Sequence, residues 1–424
     1  MINVVRGMRD LFGNELAAWQ RAEEQLRRTA ELFGYEEFRT PHVEHVELFK
    51  RGVGENTDIV GKEMYVFDDR GGDTLTLRPE MTAPIVRAAI EHNLVRHKPS
   101  TRLWYMGALF RYERPQKGRY REFYQFGAEL LGSAHPEADA EIILLANQAL
   151  RNTGAIAETF LPTIELEINT LGSPASRVVY RKHLVDYLND HSGSLSAESQ
   201  RRLTTNPLRI LDSKAEQDRS VLAKAPLLND YLDSESSDHF AAVLAVLESS
   251  GVWFNVNPLL VRGLDYYSHT VFEFTTTLLG AQNTVCGGGR YDPLFEMLGG
   301  TNIPAVGFSI GVDRLMLLIE HLKGGFGDVS NAEVYICAMT DEARLPAQLI
   351  ALRLRGEGIS AMIDVQRKSV KAQVKDADRA KAMWTLFIGQ SEIENETVTL
   401  KHMQTQAQQT IPMANLITVL RANN

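Results

Sequence analysis

Five stretches of the sequence gather residue types that do chemistry. The first is Arg78-Pro79-Glu80-Met81-Thr82, at the end of a predicted strand and the start of a predicted helix. Pro79 suits a first helical turn. Glu80 and Thr82 either serve as helix-start polar groups or present a carboxylate and a hydroxyl to a substrate ammonium. The second, residues 110–123, crowds Arg111, Arg114, Lys117, Arg119 and Arg121 between two predicted strands, with aromatics on both sides. A merely solvated hairpin tip seldom concentrates one sign of charge in this way. Arg111 at a strand end suits bidentate contact with phosphate, and the loop 114–121 suits RNA backbone and base edges. On the strand leaving the loop, Gln125, Gly127 and Glu129 share one face, because successive side chains point to opposite sides. Polar residues beside a glycine predict a ligand-facing floor, where a core face would be apolar.

The third stretch is Leu260-Val261-Arg262-Gly263-Leu264-Asp265-Tyr266-Tyr267, with Glu273 close behind. An arginine among tyrosines is poor core material and is almost never fully buried without a partner. Asp265 is the nearest candidate, so a structural ion pair and a functional guanidinium both remain open here. The fourth, Gly287-Gly288-Gly289-Arg290-Tyr291-Asp292, follows a predicted strand and lets backbone approach a ligand closely. It has neither the GxGxxG nor the GxxxxGK[ST] spacing, which sets aside a dinucleotide fingerprint and an ordinary P-loop. In the fifth, residues 305–315, a glycine-punctuated strand enters a helix whose first turn carries Asp313 and Arg314. Free N–H groups and the dipole favour an anion there, and Arg314 adds a charge-assisted phosphate contact.

The surrounding pattern shows what must position these groups. Residues 15–33 read as an amphipathic helix through Leu16, Trp19, Leu26, Ala30 and Phe33, stopped by Gly34. A short strand at 36–39, broken by Pro41, follows it, then a hairpin at 64–77, a helix at 80–92 and strands at 103–110 and 122–130. Residues 172–253 are polar and helix-like, rich in Asp and Ser, and read as an insertion. Strand signals return at 270–274 and 283–286, and a helix at 311–322. Beyond the glycine-rich segment 323–328, apolar strands and helices alternate as in a small α/β domain. The expected fold is therefore α+β: an antiparallel sheet flanked by helices over 1–323, with the insertion inside it, a linker at 324–330, and an α/β domain at 331–424.

Composition narrows the class. At 424 residues, two or three domains are expected. A net charge of −9 argues against indiscriminate coating of nucleic acid, though not against a local basic patch. Cys286 and Cys337 form no CxxC pair, so a cysteine-based zinc site or disulfide framework is not expected and a reducing cytoplasm fits. No secretory h-region and no bilayer-spanning stretch are read, so no membrane association is expected.

In order, these clusters resemble those of the class II aminoacyl-tRNA synthetases, and among them the histidyl-tRNA synthetase family. The helix–strand unit ending on Pro41 is similar to class II motif 1. Residues 103–131, with Arg111 and Glu113, resemble motif 2, and residues 306–315, with Arg314, resemble motif 3. Residues 260–267 and 287–292 resemble the two histidine-specific signatures, and the C-terminal domain resembles the family's anticodon-binding domain. Met81 stands where many members carry glycine.

The resemblance implies activation of L-histidine by ATP with Mg²⁺, transfer to the 3′ end of tRNA(His), no tightly bound protein metal, and a homodimer. It implies that Arg111 holds the α-phosphate, Arg314 the far end of ATP, and that Glu113 belongs to the ATP site. Arg262 would meet the remaining α-phosphate charge and the substrate carboxylate. Glu80, Thr82 and Gln125 would bind the ammonium, with Tyr266 closing nearby. Glu129 and Tyr267 would satisfy the donor and acceptor nitrogens of a neutral imidazole. Arg114, Lys117, Arg119 and Arg121 would meet the tRNA acceptor end. The alternative is a non-catalytic regulatory paralogue that pairs with ATP phosphoribosyltransferase; Arg111, Arg262, Arg314 and the C-terminal domain favour the enzyme. A prolyl or threonyl enzyme would share the three class motifs, and residues 260–267 argue against it.

Overall fold

The computed structural model describes residues 2–55, 57–156, 163–264, 266–280, 283–327 and 332–422. The chain divides into two compact units, Met1–Phe326 and Gly327–Asn424. Residues 328–330 of the expected linker lie outside the described residues.

Among the described residues the first unit has eleven strands: β1 (Glu36–Glu37), β2 (Val43–His45), β3 (Tyr65–Asp68), β4 (Thr74–Leu77), β5 (Thr101–Phe110), β6 (Glu122–Leu131), β7 (Glu165–Thr170), β8 (Asn255–Val256), β9 (Ser268–Thr275), β10 (Thr284–Arg290) and β11 (Ala305–Gly311). Eight form one sheet in the order β1-β5-β6-β11-β10-β9-β7-β8, and β2-β4-β3 form a small second sheet. All pairs in the large sheet are antiparallel except the outermost, β1 with β5 and β7 with β8. The α+β expectation holds.

Apolar periodicity explains how the helices attach. The Gly13–Leu32 helix buries Ala18, Trp19, Ala22, Leu26 and Ala30 at three- and four-residue spacings, and Gly34, at φ +79°, ends it. With the Pro136–Asn152 and Val312–Lys323 helices it closes a core over Phe126, Phe272, Phe274 and Phe308. Residues 172–253, expected as an insertion, carry four α-helices, Pro174–Asp190, Ala197–Thr205, Glu216–Leu222 and Ser234–Ser249. Their Asp and Ser clusters are helix-start chemistry. Asp233 accepts from the Ser236 N–H at 2.8 Å and the Ser176 hydroxyl at 2.8 Å, and Asp218 accepts from Ser196, Ser199 and Ser213. These bonds hold both carboxyls below the usual carboxylate range. Leu184, Leu188, Ile210 and Leu222 of this segment join one apolar cluster with Tyr105, Tyr266 and Tyr291.

Two strand expectations need correction. The predicted strand at 36–39 pairs through only two residues, Glu36 and Glu37. The glycine run does not follow a strand but lies inside one: β10 continues through Gly287, Gly288 and Gly289 to Arg290, bonded on both sides to β9 and β11. A Cβ at Gly288 would lie 2.7 Å from Phe308 Cβ and 2.8 Å from the Phe272 ring. A central strand this crowded tolerates glycine where it would refuse a side chain.

In the second unit, β12 (Val334–Ala338) pairs in parallel with β13 (Ala361–Ile363) and β14 (Trp384–Ile388). Two antiparallel strands, β15 (Thr397–His402) and β16 (Gln408–Pro412), complete a five-stranded sheet. The predicted α/β alternation covers the first three strands; the β15–β16 hairpin was not foreseen. Its core, around Ile336, Leu354, Leu386 and Leu400, is its own.

Among the described residues no helix is long and apolar enough to cross a membrane.

Candidate active site

Strand register builds the floor of a cavity of about 270 Å³ on one face of the large sheet. Residues directly opposite each other share a face. One row across the sheet therefore runs Tyr105, Gly127, Ser309, Gly287, Glu273, and the next Leu103, Glu129, Gly307, Gly289. The glycines leave room for groups to lie across the pleat. A Cβ on Gly287 would come within 2.5–2.7 Å of the Arg262 guanidinium, and one on Gly307 would collide with the Glu129 carboxylate. Gln125, Gly127 and Glu129 do share a face, as the alternation predicts.

The wall nearest the Thr82–Glu91 helix carries Glu80 and Arg111. Both Glu80 oxygens accept backbone N–H groups, from Thr82 and Ala83, each at 2.8 Å. The helix-start role is thus filled, by a residue that also lines the cavity. Burial pushes the Glu80 carboxyl up, and the N–H groups pull against it. Arg111 donates through Nε to the Pro79 carbonyl at 2.8 Å and lies 5.2 Å from the Phe123 ring centre. Its Nη1 is 4.0 Å from Glu113. Burial pulls the Arg111 guanidinium down while Glu63 and Glu80 oppose that.

Arg262 enters from the opposite side. Asp265, its expected partner, lies outside the described residues; the ion pair that forms is with Glu273 on β9. Glu273 also accepts the Thr284 hydroxyl at 2.8 Å. Arg262 sits 5.8 Å from the Tyr267 ring centre, and Tyr267 lies 4.8 Å from Tyr266, centre to centre.

Arg314 closes the far end. It donates to the Thr284 carbonyl at 2.8 Å and the Gly118 carbonyl at 3.4 Å. Burial, then Arg119 and Arg111, push its guanidinium down to about 10. Next to it, Asp313 accepts the Tyr124 N–H at 2.8 Å and Arg9 at 2.9 Å.

Glu129 sits below the cavity, behind Thr82 and Tyr291. Thr82 Oγ1 donates to its Oε1 at 2.8 Å, and Tyr291 Oη to its Oε2 at 2.5 Å. Burial pushes its carboxyl up to about 8, against the Tyr291 and Thr82 hydrogen bonds.

The basic loop does not act as one patch. Arg114 and Lys117 are exposed. Arg119 turns into the cavity wall, pairing with Glu113 and standing 3.9 Å from Glu63. Arg121 lies 3.7 Å from the Tyr112 ring centre and donates to the Glu113 and Arg6 carbonyls at 3.2 and 3.4 Å.

The cavity thus gathers Glu80, Thr82, Arg111, Glu113, Gln125, Arg262, Tyr266, Tyr267 and Arg314. Sequence reasoning missed Tyr105 and Thr284, and named Glu273 and Tyr291 only as members of their stretches, with no role of their own. For Glu273 the signal was its place one strand after the arginine; for Tyr105, its place in the aromatic strand opposite a ligand-facing one.

The cavity on this antiparallel sheet is lined by Arg111, Arg262 and Arg314, side chains of the kind that pair with phosphate, and a separate α/β unit follows in the chain. Residues 333–423 match the anticodon-binding domain model. That domain and this fold define the class, the aminoacyl-tRNA synthetases. Residues 7–315 match the histidyl-tRNA synthetase model. The chain is similar to the crystal structure of apo histidyl-tRNA synthetase from S. aureus, at 34% identity over 99% of this chain and 100% of that one, with a TM-score of 0.82. It belongs to the histidyl-tRNA synthetase family. Two more distant structures share the fold. One is histidyl-tRNA synthetase from a Nostoc species, at 19% identity, 100% of both chains and TM-score 0.70. The other is described as an ATP phosphoribosyltransferase regulatory subunit/histidyl-tRNA synthetase from Bacillus halodurans, at 24% identity, 92% of this chain, 98% of that one and TM-score 0.64.

Proposed function

We propose that this chain activates L-histidine with ATP and transfers the histidyl group to the 3′ end of tRNA(His). The observation that carries the reading is the convergence of three arginines and a carboxylate, Arg111, Arg262, Arg314 and Glu80, around one glycine-floored cavity, with the Glu129 carboxylate bonded behind Thr82 and Tyr291 of its lining. In the first step a histidine carboxylate oxygen attacks the α-phosphorus in line; the bond to the bridging oxygen breaks and pyrophosphate leaves. The terminal adenosine hydroxyl then attacks the adenylate carbonyl and releases AMP. No covalent enzyme intermediate is needed, so positioning and charge stabilisation supply the rate.

Arg111 meets the α-phosphate and Arg314 the far end of ATP, with Glu113 in the same site; Mg²⁺ enters with the triphosphate as part of the substrate. Arg262, held by Glu273, meets charge developing at the α-phosphorus and the substrate carboxylate. Glu80, Thr82 and Gln125 take the ammonium, and Tyr266 covers it. Glu129 and Tyr267 take the imidazole. Buried polar groups of this kind reject an analogue that leaves them unpaired. The exposed Arg114 and Lys117 are better placed for the tRNA acceptor end than Arg119 and Arg121, which contact the protein itself. The working form is a cytoplasmic homodimer.

Amino-acid-dependent exchange of pyrophosphate into ATP, run with all twenty amino acids, tests the reading. Exchange is expected with histidine alone. Equal exchange with threonine or proline overturns the assignment, and no exchange with any amino acid points to a regulatory paralogue.

A further inference from the structure

Glu129 is 1% exposed, and its neighbours come from distant parts of the chain. Thr82 opens the helix after β4, and Tyr291 follows β10, 162 residues from Glu129. Gly307 on β11 leaves space for one carboxylate oxygen. The titratable groups that act on Glu129 are Glu80, Tyr35, Tyr105, Tyr266, Tyr267 and Tyr291. Burial raises all five phenols, so they stay neutral; Glu80 is a second acid. Thr82 and Tyr291 are therefore uncharged donors to an acid that burial and Glu80 both push toward its protonated form. A carboxylate only accepts hydrogen bonds, whereas the neutral acid spends one oxygen as a donor.

Tyr291 is held for this task. It is 1% exposed, and its ring packs edge-on against Tyr266 at 5.7 Å between centres. We propose that Tyr291 is a positioning residue: its hydroxyl, together with that of Thr82, keeps Glu129 aimed and in the hydrogen-bond-accepting form that selects the N–H of the substrate side chain. The proposal rests on the histidine reading of the cavity for what Glu129 selects, but not for how Glu129 is held.

The test uses the full chain and Tyr291→Phe, which removes one oxygen and keeps the ring. In the ligand-free protein, infrared difference spectra against Glu129→Gln identify the protonated Glu129 carboxyl, and a pH titration follows its loss. One neutral hydrogen bond corresponds to roughly one pH unit, so the midpoint, near 8 in the parent protein, is expected to rise by about one unit in the variant. In pyrophosphate exchange at pH 7.5, the KM for histidine is expected to rise about five- to tenfold and to return toward the parent value as pH passes 9. The KM for ATP and kcat stay unchanged. An unmoved infrared midpoint overturns the proposal. So does a rise in histidine KM that is the same at every pH, or one matched by the KM for ATP, because packing loss alone produces either. If the midpoint moves while the parent protein uses no histidine, the positioning role stands and the substrate reading falls. Thr82→Val, read by the same infrared midpoint, keeps the test available if Tyr291→Phe does not fold.

Discussion

Arg290 belongs to a glycine-rich signature that resembles a substrate motif, yet its contacts are with the protein. Its side chain is 1% exposed and pairs with Asp139, 0% exposed, in the Pro136–Asn152 helix. It also donates to the Ser133 carbonyl at 2.8 Å and to Asp292 at 3.1 Å, while His239 stands 3.2 Å from Asp139. Neither Arg290 nor Asp139 lines the cavity. Asp139→Asn keeps the shape and removes the charge, stranding a buried guanidinium. Breaking a buried pair in this way costs about 3–5 kcal/mol, and Asp292 offsets part of it, so the lower end applies. At about 2–4 °C per kcal/mol for a large domain, Tm is expected to fall by roughly 6–12 °C. The pH dependence has a definite sign. Burial pushes the Asp139 carboxyl up, but Arg290 and His239 outweigh burial and hold it below its ordinary value. Its contribution is therefore present above the unfolded-state pKa and is lost as pH falls through the folded one. Calorimetry of the parent protein and Asp139→Asn should show a gap that is full at pH 7 and closes below about pH 4. Equal Tm values at pH 7, or a gap that widens on acidification, would refute the reasoning.

Arg262→His is expected to lower single-turnover adenylate formation by a factor on the order of 10² to 10³, comparable to losing one oxyanion donor, with smaller changes in the Michaelis constants. Lysine should restore only part, because a point charge does not reproduce the planar fork; a folded variant with lowered Tm and a normal rate would reduce Arg262 to a partner of Glu273. Deleting residues 327–424, a unit with its own core, is expected to impair aminoacylation of tRNA far more than pyrophosphate exchange. An equal loss in both assays, in protein whose catalytic unit stays folded, would sink that division of labour.

What was legible depended on how far apart the partners lie along the chain. The face shared by Gln125, Gly127 and Glu129 follows from alternation within one strand, and the register of β6 with β5 and β11 agrees with it. The Gly13–Leu32 helix was likewise a local pattern. The partner of Arg262 was not local. The sequence offered Asp265 three residues away, while the fold supplies Glu273, which β9–β10 pairing sets opposite Gly287, beneath the guanidinium. The Tyr291–Glu129 bond joins β6 to the residue that follows β10, a strand that is not its neighbour, and no short-range pattern encodes it. The basic loop misled in the opposite sense. Its charges looked equivalent in sequence, but Arg119 finds Glu113 and Arg121 finds backbone carbonyls and a tyrosine face.

The glycines show why the site needs this sheet. A strand interior gains little from glycine and loses conformational entropy by ordering it, by roughly 0.5–1 kcal/mol relative to alanine. Yet Gly127, Gly287 and Gly307 occupy three adjoining strands in the centre of the sheet. Each lies under a functional group from elsewhere: the Tyr105 hydroxyl, the Arg262 guanidinium and the Glu129 carboxylate. Side chains at those points would fill the cavity from below and displace all three groups. The opposite face of the sheet carries Phe126 on β6, Phe308 on β11 and Phe272 on the neighbouring β9, all buried in the core with the helices. Pleating separates the two roles residue by residue. One parity of each strand contributes apolar burial, which stabilises the sheet, and that stability lets the other parity be stripped to backbone where ligand and charge must fit.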